Sequence, residues 1–298
     1  MNVLISGGSG LVGLELSKML RAKGHSVSIL SRKKTNDVNY KFWDIENGVL
    51  AEDALIGIDT IVHLAGEGIA DGAWTDERKV KIIESRVNST RLLLDALKKG
   101  NHQVKAFISA SATGYYSNRG DELMYEDAMP AKDFLGTTCV LWEQEVNKIE
   151  SLGIRTVKLR IGIVLTTKGG ALKKMIVPFK FGLGSALGDG KQWMSWIHLK
   201  DLCSMFIYAI ENNQLKGAYN AVAPQAATNY EFSKTLSKIM KRPFWAPNVP
   251  SFILKIIFGE MSAVVLGSTK ASADKIEKEG FKFEFAKLNE ALIDLLKK

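Results

Sequence analysis

The 298-residue chain predicts an α/β fold, a doubly wound parallel sheet with a smaller, mostly helical C-terminal lobe, and three observations carry that expectation. Runs of β-branched and other apolar residues alternate with helical patterns through the first 165 residues. A glycine stretch, GGSGLVG (7–13), separates the first apolar run from the first helix. Beyond about residue 166 the rhythm loosens into loops such as GLGSALGDGKQWMSW, followed by mostly helical sequence.

Each element follows from local pattern. VLIS (3–6) reads as a short buried strand, and the helix after the glycines places Val12, Leu16, Met19 and Leu20 on one face. VSIL (27–30), DTIVHLAG (59–66), KAFISAS (105–111) and IRTVKLRIGIVL (154–165) read as further strands, with a third strand ending near Asp44. Helices are predicted over 75–98 and 134–152, then near 199–211, with a strand near 217–222. VPSFILKIIFGEMSAVVLG (249–267) is the most apolar stretch, but Lys255 and Glu260 interrupt it. A bilayer span of about 20 residues would bury both at several kcal/mol, so it reads as an amphipathic core helix bent at Gly259.

Composition narrows the function classes. With 46% hydrophobic and 24% charged residues the chain can bury a sizeable core, which argues for one or two globular domains and against a disordered chain. The net charge of +8 is dispersed over lysine pairs (Lys33/Lys34, Lys98/Lys99, Lys173/Lys174, Lys297/Lys298) with no long basic run, which argues against nucleic acid as a partner. Two cysteines, Cys139 and Cys203, give neither a disulfide framework nor a metal-ligand spacing, so no metal is expected and a reducing, cytoplasmic setting is. The N-terminus lacks the basic region of a signal peptide, and no membrane association is expected.

The glycine stretch has a specific use in its context. Gly7 permits a tight turn, Gly10 lets the backbone approach a pyrophosphate, and Gly13 lets helix pack on strand. The helix N-terminus then directs N–H groups and a positive dipole end at the phosphates, so Gly7, Ser9, Gly10, Leu11, Val12 and Gly13 are predicted cofactor contacts of a Rossmann-type sheet. After the second strand come Ser31, Arg32, Lys33 and Lys34, with no acidic side chain until Asp37. NAD sites place a carboxylate there for the ribose 2′-OH, whereas a guanidinium matches a 2′-phosphate, so NADP(H) is favoured over NAD(H). Asp44 is expected near the adenine, and Ala65, Gly66 and Glu67 beyond the fourth strand leave room for the cofactor.

Nearly end to end, the chain resembles the extended short-chain dehydrogenase/reductase family, the nucleotide-sugar epimerase and dehydratase group, and more closely its atypical epimerase-like branch. The motifs that carry the resemblance are GGSGLVG, WTDERKVKIIESRVNST (74–90), SASATGYY (109–116), DFLGTTCVLWE (133–143), RIGIVLTTKGGAL (160–172), GDGKQWMSWIHLKDL (188–202), GAYNAVAP (217–224) and VPSFILKIIFGEMSAVVLGS. The resemblance implies a nucleotide-binding domain over residues 1–225 and a C-terminal module over 245–295, with an oxidoreductase or epimerase activity on a small-molecule substrate, in a monomer or homodimer. It also implies cofactor contacts at Ser109, Ala110 and Arg160, and substrate contacts at Ser111, Trp142, Gln192 and Trp193.

The family's proton chemistry uses a Ser or Thr after the fifth strand and the Tyr and Lys of Y-x-x-x-K. Aligned on Glu143, the Tyr position holds Leu135, the Lys position Cys139, and the Ser position Ala112. Ala73 and Ser117 also depart from the branch's pattern, standing where it carries Arg and Gly. A literal Y-x-x-x-K, Tyr230 to Lys234, lies far downstream and reads as chance. Tyr115 and Tyr116, directly after the fifth strand, read either as an aromatic wall under the substrate lobe or as replacement acids, with Ser109, Ser111 and Thr113 as further hydroxyls. Arg78, Arg86, Glu143, His198 and Asp201 are the other polar candidates, His198 reading as a packed residue and Arg160 as an anion holder. The alternative to an enzyme is a protein that binds NADP(H) and reports it to a partner.

Overall fold

The computed structural model describes residues 1–297. Strand β1 (Asn2–Ser6) ends where Gly7, at φ +69°, turns the chain past Leu64; a Cβ there would lie 2.8 Å from the Leu64 carbonyl carbon. Helix α1 (Leu11–Ala22) buries Leu16 and Leu20 completely against the sheet, each worth about 1.5–3 kcal/mol. Then follow β2 (Ser26–Ser31), β3 (Tyr40–Asp44), the short β4 (Val49–Leu50) and β5 (Thr60–His63). Helix α2 (Asp76–Lys98) is capped by the Thr75 side chain and leads to β6 (Ala106–Ala112), β7 (Leu123–Met124), α3 (Phe134–Glu150) and β8 (Arg155–Ile161).

Among the described residues the main sheet holds eight strands. A late strand, β12 (Gly217–Ala221), forms its edge beside β8, and the order continues β6-β5-β1-β2-β3-β4. All pairs are parallel except β3 with β4. The chain order reverses between β1 and β5, so the crevice for a ligand opens above the carboxyl ends of those two strands.

The stretch 154–165 is not one strand. At Gly162 a Cβ would lie 2.5 Å from the Ser195 carbonyl oxygen, and the close approach lets the chain leave the sheet. The remainder, β9 (Ile163–Leu165), pairs in parallel with β11 (Trp196–His198). Between them lie α4 (Gly170–Lys180) and β10 (Trp193–Met194); after them come α5 (Leu199–Glu211), β13 (Ala227–Thr228) and α6 (Asn229–Met240). The expected strand near 217–222 belongs to the main sheet rather than to the lobe.

The C-terminal lobe has its own core, in which Leu172, Phe179, Trp196, Phe232, Leu236 and Leu292 pack together. Its last part comprises α7 (Ser251–Phe258), α8 (Ser262–Leu266), β14 (Lys270–Ala271), α9 (Asp274–Lys278) and α10 (Leu288–Leu296). The chain bends at Gly259, as the sequence predicts, but α7 is not a core helix: Leu254 is buried while Phe252, Ile256 and Ile257 are exposed. Asp201 of α5 ties the tail down by accepting the N–H groups of Glu284 and Phe285 at 2.8 and 3.0 Å. No helix of the described residues is long and apolar enough to cross a membrane.

Candidate cofactor and substrate site

The glycine edge is built by close backbone packing. A Cβ at Gly8 would lie 2.7 Å from Ile29, and one at Gly13 would strike the Gly7 carbonyl and the Gly8 backbone. Helix α1 begins at Gly10 with no side-chain cap and no acidic residue in its first turn, so its N–H groups and dipole face the exposed Ser9 and Gly10. This is a cradle whose shape and polarity fit a pyrophosphate. At the adjoining end of β2 the Ser31 hydroxyl accepts the Lys33 N–H at 3.0 Å, and Arg32 and Lys33 are exposed. Asp37, the first acid beyond them, accepts from Asn39 at 2.9 Å. Asp44, expected near the adenine, organises its own turn, accepting from Glu46, Asn47 and the Asn47 side chain, whose amide holds the carboxyl below its usual range.

The loop after β5 is held by a network that sequence reading missed. His63, fully buried, pairs in register with Ser6 across β1 and β5, and its Nδ1 lies 2.6 Å from the Ser6 hydroxyl. That hydroxyl accepts the N–H groups of Leu64 and Ala65 at 3.2 and 3.3 Å. On the other side, Nε2 meets the hydroxyls of Ser89 and Thr90, which donate to the carbonyls of Ser85 and Arg86. With those protons committed, the network assigns the hydrogen to Nε2 and lets Nδ1 accept from Ser6. Burial, then the nearby Arg86 charge, pushes His63 down to about 3, so the ring is neutral. The signal available in sequence was a titratable residue at the end of an apolar strand.

Beyond Ala65, two arginines of α2 grip the loop. Arg78 donates to the Glu67 carboxylate at 2.9 Å and to the Gly68 carbonyl at 2.7 Å, while Arg86 donates to the Glu67 carbonyl at 3.0 Å. A Cβ on Gly66 would lie 3.2 Å from the Arg86 guanidinium carbon, whose charge sits 5.2 Å above the Trp142 ring.

At the β6 and β8 end the positions aligned with the catalytic Tyr and Lys, Leu135 and Cys139, lie one turn apart on α3 and both adjoin Gly114. A Cβ there would lie 3.4 Å from Leu135 and 3.7 Å from the Cys139 sulfur, whose S–H points at the Ala112 carbonyl. Burial pushes the Cys139 thiol up to about 12, so it remains a thiol. Next to it, Arg160, the expected anion holder, is matched within the fold: its Nε and Nη2 make a two-pronged pair with Glu143, each 2.9 Å, and Nη1 donates to the Tyr116 hydroxyl and the Glu126 carbonyl. Burial opposes the Arg160 charge, but the Glu143 carboxylate more than offsets it and holds the group above its ordinary value.

Other expected contact residues are engaged within the fold. Tyr116 is fully buried, donates to Asn220 at 2.7 Å and is pushed up to about 12 by burial, so it is a core phenol rather than an acid at the site. Ser111 donates to Glu143 at 2.7 Å, and Ser109 to the Ala110 carbonyl at 2.8 Å. Trp142 packs inside the α2–α3 interface, edge-on to His63. Gln192 is buried and donates to the carbonyls of Leu187 and Val265, and Trp193 donates to Asp121 with Lys270 over its ring. His198 caps α5, stacks on Phe285 and faces Asp294, the packed role its sequence context predicts. Tyr115 alone of the paired tyrosines stays half-buried, its ring 3.5 Å from the Arg160 guanidinium.

The reversal of strand order, the glycine cradle and the small residues after β5 define a class: a dinucleotide-binding Rossmann protein. The chain belongs to the NAD dependent epimerase/dehydratase family, whose model matches residues 3–222. Residues 249–295 match a second model, Domain of unknown function (DUF1731). Epimerase family protein YfhF of Bacillus subtilis (strain 168) is 38% identical over 301 residues, covering 99% of this chain and 98% of its own. The crystal structure of human epimerase family protein SDR39U1 (isoform 2) with NADPH superposes with a TM-score of 0.91 at 31% identity, covering 100% of both chains. That of a nucleoside-diphosphate sugar epimerase from Corynebacterium glutamicum gives 0.83 at 31% identity, covering 99% of this chain and 58% of that one.

Proposed function

We propose that the protein binds NADP(H) at the glycine edge and acts as an oxidoreductase or epimerase on a small polar or nucleotide-linked substrate between the sheet and the C-terminal lobe. The observation that carries the cofactor choice is the Ser31-Arg32-Lys33 turn beside the cradle, with Arg32 and Lys33 exposed and the next acid in sequence, Asp37, engaged by Asn39. NADPH in the human relative supports it. In this reading Gly7, Ser9, Gly10, Leu11, Val12 and Gly13 hold the pyrophosphate, Ser31, Arg32 and Lys33 the 2′-phosphate, and Ala65 and Gly66 give the cofactor passage. The cofactor supplies hydride chemistry when bound. Tyr115 supplies the proton, being the half-buried phenol at this edge, with its ring held against the Arg160 guanidinium. Residues 1–225 are the nucleotide-binding unit and 245–295 a module that closes over the substrate.

A second reading, a protein that binds NADP(H) and signals its presence without turnover, is favoured by one observation: Leu135 and the buried Cys139 thiol occupy the positions of the usual acid and lysine. A fluorescence titration with NADPH and NADH tests the shared half. Arg32→Glu is expected to weaken NADPH binding more than about tenfold with the fold intact, since one charge-assisted contact to phosphate is lost and a repulsion gained. Equal NADPH binding by variant and wild type would overturn the 2′-phosphate assignment. Turnover of the loaded protein against aldehydes, ketones and nucleotide sugars, lost in Tyr115→Phe, separates enzyme from sensor.

A further inference from the structure

We infer that Arg78 and Arg86 form a subsite for an anionic group, carboxylate or phosphate, on the substrate. The inference rests on the reading above for what lies beside the loop after β5; its own ground is a charge imbalance there. Both side chains reach the same loop, where the Glu67 carboxylate is paired with Arg78 at 2.9 Å and the Asp71 carboxylate lies against Gly68. Arg86 is half-buried and, among the described residues, has no ion-pair partner; its hydrogen bonds run from Nη1 and Nη2 to the carbonyls of Ile82 and Glu67 and, at 3.5 Å, to the Ser85 hydroxyl. The contrast with Arg160 is direct, since that buried guanidinium is matched by Glu143 on both prongs. Partly buried charge without a paired counter-charge is costly, and Arg86 is left in that position.

A second observation points the same way. The Nε of Arg78 is buried without a hydrogen-bond partner, an N–H donor left over beside an unpaired guanidinium. Lys174 of α4 donates to the Ala70 carbonyl at 3.1 Å, adding a third cation to the same loop from the C-terminal lobe. The loop therefore lies in the crease between sheet and lobe. Gly66 keeps the Arg86 plane against the backbone that follows β5, and Trp142 backs its other side. A planar fork so held favours an oxyanion over a neutral hydroxyl.

The test uses the full-length protein saturated with NADPH, so that the phosphate sites of the cofactor are filled. Tryptophan fluorescence is followed during titration with potassium phosphate and, separately, potassium malonate, at ionic strength fixed with chloride. Saturation in the millimolar range is expected with at least one of them, weakened about tenfold or more in Arg86→Met and in Arg78→Met. Arg86→Lys, which keeps charge but not the fork, is expected to fall between. Glu67→Gln is expected to tighten the anion severalfold, a change of opposite sign that a merely loosened fold does not produce. Saturation by phosphate alone assigns a phosphorylated substrate, and by malonate alone a carboxylic acid. Variants that titrate as wild type, or no saturation by either salt, would overturn the subsite. Failure of NADPH to load the wild type would instead sink the cofactor reading, and the titration of unliganded protein would still report on Arg78 and Arg86.

Discussion

The two halves of the sheet's carboxyl edge are built on opposite terms. Between β1 and β2 the site is backbone: glycines that cannot carry a Cβ, an uncapped helix start and exposed basic side chains. Between β6 and β8 it is side chain, and the polar groups are turned on one another, Glu143 on Arg160 and Ser111, Arg160 on Tyr116, Tyr116 on Asn220. The first half presents donors outward and has the makings of a binding surface. The second satisfies its donors internally, which gives rigidity and leaves Tyr115 as the phenol at the surface of the network.

The largest effect that can break this comparison is at Glu143. Glu143→Gln leaves the Arg160 guanidinium buried without its counter-charge, and unfolding in urea is expected to show a loss of about 3–5 kcal/mol. NADPH affinity of the folded fraction is expected to stay at the wild-type value. A drop in affinity with little loss of stability would mean that the locked half is part of the binding surface after all.

A smaller, pH-dependent effect sharpens the boundary between the halves. His63 sits beneath the point where they meet and has a folded-state value pushed down to about 3, against 6.5 in the unfolded chain. Below the unfolded value the unfolded state takes up a proton that the native ring refuses, so this contribution is fully present above about pH 6.5 and is lost as the solution is acidified toward 3. Its slope is about 1.4 kcal/mol per pH unit in that window. His63→Gln, which keeps hydrogen-bonding capacity without a titratable ring, is expected to be less stable at neutral pH but to lose stability less steeply between pH 6 and pH 4. Parallel pH profiles for the two proteins would show that the ring is protonated in the fold.

The open half was legible in the sequence because it is local. GGSGLVG, the helix after it and the basic turn after VSIL each lie within a few residues of one another, and backbone geometry follows from their types. The locked half was not legible, because its pairs join distant elements: Glu143 meets Arg160 across 17 residues and Tyr116 meets Asn220 across 104. Nothing in the composition around Arg160 distinguishes an arginine that awaits an anion from one already matched. The same holds for Gly162, where the break between β8 and β9 depends on the approach of Ser195 from another strand, and for α7, whose apolar face looks like core until the fold leaves Ile256 and Ile257 outside.

The smallest expected effect is at the one literal Y-x-x-x-K. Tyr230 and Lys234 lie on α6, in the lobe with the separate core, and not at either half of the sheet's edge. Tyr230 is 44% exposed, its ring rests against Phe244 at 5.5 Å, and the Lys234 ammonium lies over that ring, 5.7 Å from its centroid, rather than beside the hydroxyl. A lysine so placed neither holds the phenolate nor faces the crevice above β1 and β5. Tyr230→Phe is therefore expected to leave cofactor binding and turnover unchanged and stability within about 0.5 kcal/mol of wild type. Lost turnover with NADPH binding retained would move the proton chemistry from the sheet into the lobe, and Tyr115 would cease to be the acid.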